Sequence, residues 1–139
     1  MLITTTIHAL CTVAVIRALR STHAHHWAYR STQMRVTLVS TLVLLMFLAA
    51  LFEATIWAAF YVAVGAIPDF EAALYFSTVT FTTLGYGDLT LQTNWRLLTS
   101  FQAANGIIMF GWTTAIVMAA VQRMVTHQAA AERALPRSP

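Results

Sequence analysis

Apolar residues in this chain come in long, nearly unbroken runs. Residues 36–65 are apolar almost throughout, and Glu53 is the one charged side chain among them. A helix of that length reaches about 45 Å, enough for a tilted bilayer crossing with a protruding end. Gly65 and Pro68 punctuate its close. A second run over 94–126 opens at Trp95 and Arg96 and finishes near Arg123 and His127, predicting another membrane helix. A third run fills 1–20, with His8 and the arginines near its end as its strongly polar side chains. Its basic residues follow the apolar stretch instead of preceding it, which argues against a signal peptide. It predicts a first membrane helix with its N-terminus outside, or alternatively a helix lying in the interface.

The segments between these runs differ in kind. Residues 21–35 form a polar connector, and Arg17, Arg20, Arg30 and Arg35 in and beside it face no acidic residue. That excess places the connector on the cytoplasmic side, together with a short C-terminal tail over 128–139. Residues 70–82 are apolar but span only about 20 Å as a helix, too short to cross. Asp69 can cap this helix and Glu71 suits its positive end. Such a segment predicts a re-entrant helix, followed by backbone that is buried in protein or lines a wet cavity.

Composition narrows the function classes. Hydrophobic residues make up 58% of the 139 and charged residues 9%. A soluble fold of this size cannot hide so much apolar surface. The expectation is an all-α, multi-pass protein of the cell membrane. All eight basic residues are arginines; they suit a bilayer's cytoplasmic face, and no nucleic acid partner is expected. Cys11 is the sole cysteine, so no internal disulfide forms. No nucleophile triad, phosphate-cradling glycine loop or catalytic carboxylate pair is present, so no enzyme and no cofactor are expected.

Between the short helix and the last long one stands Thr82-Thr83-Leu84-Gly85-Tyr86-Gly87-Asp88. This string resembles the selectivity filter of the potassium channel pore-module family, whose usual form has valine at the Leu84 position. The resemblance covers about 36–127: outer helix 36–65, pore helix 70–82, filter 83–88, inner helix 94–126. It implies a passive potassium-selective channel. The carbonyls of Thr83, Leu84, Gly85 and Tyr86, with Gly87 closing the strand, would replace the ion's water shell. Aligned carbonyls need alternating backbone conformations, some at positive φ, which suits Gly85 and Gly87. The side chains of Leu84 and Tyr86 are expected to point away from the ions and pack on the pore helix. One chain supplies one filter strand, so a homotetramer follows, with K+ as permeant ion and the lipid bilayer as its surroundings. Two alternatives are a weakly selective cation channel, disfavoured by the retained Tyr86, and a non-conducting regulatory membrane subunit, disfavoured by the complete filter.

The resemblance also assigns supporting roles. Thr82, Tyr75 and Asp88 would brace the filter, with Tyr75 the donor to Asp88. Val79 stands where some bacterial channels place an acidic partner, so that interaction is absent. Asp69, Glu71 and Asp88 against Arg96 leave two net negative charges per chain at the outer mouth, eight in a tetramer. Gly106 sits where related channels carry a gating hinge, with close helix contact as the other reading; Gly111 reads as a contact glycine. Phe110, Thr114, Met118 and Gln122 share one helix face and would line the cavity and gate. Asn105 would face that cavity or a neighbouring subunit.

Three features fall outside the pattern. Glu53, a carboxyl inside a membrane helix, is a strut or a proton sensor, with Trp57, Ser77, Thr78 and Thr80 as possible partners. His8 reads as a polar contact between helices. His23, His25 and His26 form a cluster in the connector that is solvated or binds a metal. No arginine ladder marks a voltage sensor, so the gating stimulus stays open.

Overall fold

A computed structural model describes residues 1–20 and 31–134, with side-chain surroundings for 1–17 and 31–126. The cluster His23, His25 and His26 lies outside the described residues. Among the described residues four helices run in order: α1 (Leu2–Arg20), α2 (Thr32–Ala63), α3 (Phe70–Phe81) and α4 (Arg96–Ala134), the last entered through a 3-10 turn at Thr93–Trp95.

Local chemistry sets the ends of these helices. Ser31 Oγ accepts the Met34 N–H at 3.3 Å and starts α2 a few residues before the expected 36. At the other end Gly65 takes φ 71° and the chain closes in a Schellman motif. The Ala66 N–H reaches the Tyr61 carbonyl and the Gly65 N–H the Val62 carbonyl. Asp69 caps α3 by accepting the Ala72 N–H at 2.8 Å. The last helix continues to Ala134, past the expected 126 and into the segment read as tail. Gln128-Ala129-Ala130-Ala131-Glu132 is built from strong helix formers, so nothing local stops it.

α2 and α4 are long and apolar enough to cross a membrane; α1 is apolar but shorter. With 12 residues, α3 extends only about 18 Å. It sits between α2 and α4, and small residues allow the close approach: Ala54, Ala58 and Ala73 are almost wholly covered. Tyr61 meets Phe76 edge-to-face at 5.3 Å, and Phe81 meets Phe110 at 5.8 Å. Meanwhile Val43, Leu44, Phe47 and Leu48 of α2 stand exposed, as a lipid-facing surface does.

The first helix packs the opposite way round from a soluble helix. Its covered residues, among those described, are polar: Thr4, His8 and Thr12, four apart on one face. Leu2, Ile3 and Leu10 point outward. Contacts of Thr4 with Asn105 and of His8 with Thr113 make α1 run in the same sense as α4.

Candidate functional site

The chain leaving α3 folds back onto that helix's own end. The N–H groups of Thr83, Leu84 and Gly85 donate to the carbonyls of Thr80, Val79 and Val79 at 3.0, 3.0 and 3.4 Å. Thr82 adds its hydroxyl to the Thr78 carbonyl at 2.8 Å. Exposed carbonyls at the helix end are thereby satisfied, and the strand is fixed to it. In a trans peptide the carbonyl opposes the following N–H. The Thr82, Thr83 and Leu84 carbonyls therefore point away from α3.

Every second residue of the strand has positive φ: Thr83 at 60°, Gly85 at 56° and Gly87 at 76°. Glycine accepts this freely, whereas Thr83 takes it under strain. The alternation turns successive peptides so that a short strand presents several carbonyls. The side chains of Leu84 and Tyr86 correct one expectation. They are 55% and 67% exposed, so they do not pack on their own pore helix. The reason is geometric: the strand's N–H edge, not a side-chain face, is what touches α3.

Behind the strand, Tyr75 donates its hydroxyl to Asp88 Oδ2 at 2.6 Å, and the Leu89 N–H donates to Oδ1 at 3.0 Å. The Tyr75 hydroxyl first, and the Leu89 N–H with it, hold the Asp88 carboxyl below the usual carboxylate range. Val79, Gly85, Asp88 and Arg96 border a cavity of about 340 Å³ on this side. Val79 gives it an apolar wall.

Beneath the strand a hydrogen-bonded chain that the sequence reading missed joins three helices. Tyr61 of α2 donates to Gln102 Oε1 at 2.7 Å; Gln102 Nε2 of α4 donates to the Ser77 carbonyl and hydroxyl at 3.1 and 2.6 Å. Ser77 of α3 then donates to the Ala54 carbonyl at 2.6 Å. Every donor has an acceptor, and Gln102 and Ser77 are fully covered. Gln102, an amide inside an apolar run, was the available signal.

Gly106 resolves toward close contact. A Cβ there would overlap the Phe81 carbonyl oxygen and lie 2.8 Å from its carbon. Phe110, Thr114, Met118 and Gln122 all stand exposed on one side of α4. Asn105 does not join them, correcting both of its expected placements: it is buried and donates to Thr4 Oγ1 of α1 at 3.2 Å. The partners expected for Glu53 are also wrong. Ser77 serves the Ala54 carbonyl and Thr78 bonds back to Leu74, because helix hydroxyls find backbone acceptors nearby. Glu53 instead meets His8 Nδ1 at 2.9 Å, and both side chains are fully covered.

A family model described as an ion channel matches residues 38–123, from α2 through the strand to α4. The chain belongs to the ion channel family. It is therefore a membrane protein built for ion permeation through an oligomeric assembly. The match leaves α1 outside it. No curated protein and no solved structure matches the chain.

Proposed function

We propose that this ion channel is a homotetrameric, potassium-selective pore in which 83–88 is the filter and 70–82 a re-entrant pore helix. The observation that carries the reading is the strand itself. Its N–H groups are tied to α3, its carbonyls turn away, and positive φ falls at Thr83, Gly85 and Gly87. Four such strands around an axis would offer rings of oxygens that replace the ion's hydration shell. The exposed Leu84 and Tyr86 side chains would then be covered by neighbouring chains. The exposed stripe Phe110, Thr114, Met118 and Gln122 would line the inner cavity, and the acidic outer mouth would concentrate cations. The N-terminus lies outside and the connector and C-terminus inside, on the arginine distribution.

The test is purified protein in liposomes under a potassium gradient, with and without barium, against the same gradient of sodium. Barium-sensitive flux of potassium well above sodium is expected. Gly85→Ala should abolish it while assembly persists. Its Cβ would meet no atom within 4 Å, so the cost is conformational, at φ 56°. That cost is about 1–2 kcal/mol per chain. Equal flux of both ions would leave a weakly selective cation channel, and no flux a regulatory subunit.

A further inference from the structure

In the helix outside the family match, α1, one imidazole has two partners on the pore unit. His8 Nδ1 lies 2.9 Å from Glu53 Oε1 on the outer helix, and Nε2 lies 3.3 Å from Thr113 Oγ1 on the inner helix. The ring also meets Trp112 edge-on at 5.6 Å. Four residues earlier Thr4 accepts from Asn105, so α1 grips the inner helix at two levels. Among the described residues of α1 the three covered side chains are polar, so α1 is held to the pore unit by polar contacts on a face otherwise turned from lipid.

We propose that α1 is a proton-sensitive clamp, in which His8 ties the inner helix to the outer helix and holds the pore conducting. This rests on the reading of the chain as a pore. Direction follows from geometry. Asn105 and Thr113 lie on the side of α4 that faces its own chain, away from Met118, while Phe110 is one turn from Thr113 and packs on Phe81. The clamp therefore draws the inner helix back from the space the stripe faces. Releasing it lets Met118 approach its counterparts across the axis.

The proton dependence follows from charge count. With one proton between them, Glu53 and His8 are together neutral; a second proton leaves a net positive charge on two fully covered side chains. Among the described residues, no other charged side chain is paired with it. Among the described residues, Trp112 and Thr113 of α4 meet the pair, and neither is charged. Glu53 Oε2 has no hydrogen-bond partner among the described residues, so a proton can be accepted there without breaking a contact. Once His8 is charged, both ring nitrogens donate, and Thr113 Oγ1 must accept.

The experiment measures liposome flux from about pH 5 to pH 8, the range in which imidazole titrates, for the full chain and its variants. Wild-type flux should fall severalfold on acidification. His8→Gln, which cannot titrate, should flatten the profile. Thr113→Val leaves the His8–Glu53 pair intact but cuts its link to the inner helix. It should lose the pH response of flux while keeping the wild-type pH dependence of thermal unfolding, a split that a purely structural role would not produce. A flat wild-type profile, a rise with acid, or a pH response that survives in His8→Gln overturns the proposal. If no variant conducts at any pH, the pore reading fails, and thermal unfolding of His8→Gln, Glu53→Gln and the double variant decides the pairing. Non-additive losses support a shared-proton pair, and additive losses overturn it.

Discussion

Replacing Gly106 by alanine tests how closely the inner helix meets the pore helix. The added Cβ would lie 2.8 Å from the Phe81 carbonyl carbon and 3.2 Å from its Cα, inside ordinary contact. Carbon atoms pack at roughly 3.5–4.0 Å and the Phe81 carbonyl oxygen is nearer still, so α4 must withdraw from α3 by more than about 1 Å. Overpacking of this kind costs about 1–3 kcal/mol. The upper end applies, because the obstructing atoms belong to backbone and cannot rotate away. Against this stands the better helix propensity of alanine, worth about 1 kcal/mol. Gly111→Ala supplies the control. It gains the same propensity, and no atom lies within 4 Å of its Cβ. The difference in unfolding free energy between the two variants therefore isolates the steric part, about 3 kcal/mol by the same reckoning. Thermal or denaturant unfolding in detergent measures it. Flux should fall in Gly106→Ala and persist in Gly111→Ala, because Phe81 is the residue before the Thr82–Thr83 turn. If Gly106→Ala proves as stable as Gly111→Ala, the contact does not exist as described. A hinge without steric demand would then explain Gly106.

Gln102→Ala should strand the hydroxyl of Tyr61 and remove both donors to Ser77, costing about 1–3 kcal/mol for each buried group left unpaired; thermal unfolding checks this, and an unchanged midpoint would remove the chain's structural role. Tyr75→Phe removes the hydroxyl that chiefly holds the Asp88 carboxyl low. Because that carboxyl's folded value is depressed, the interaction is present above the ordinary carboxylate range and lost as pH falls through the folded value. Asp88 should therefore protonate at a higher pH in Tyr75→Phe, and acid loss of flux should begin earlier; identical acid profiles would count against the contact. Cysteines introduced at Thr5 and Ser31, in a background lacking Cys11, should label from outside and inside respectively; labelling of both from one side would refute the proposed orientation.

The run lengths in the sequence determined the helices, because a helix must satisfy its own backbone wherever water is absent. They separated α2 and α4, long enough to cross, from α3, which is not. The string Thr82–Asp88 was likewise legible alone, since two glycines at alternate positions allow what other residues resist. Asp69 as cap and Gly65 as terminator were local matters and could be read locally. The partner of Glu53 could not. His8 is 45 residues away in sequence, and a polar residue in an apolar run shows that it needs a partner without showing which one. The choice fell to the docking of α1, whose buried face carries Thr4, His8 and Thr12. Asn105 and Gln102 are both amides on α4, and only the arrangement around it sent one to α1 and the other to Tyr61 and Ser77. Gly106 shows the same division: the residue type permits a hinge or a contact, and the approach of the Phe81 carbonyl decided for contact. Sequence sets what each segment must hide or satisfy; which distant group satisfies it is fixed when the helices pack.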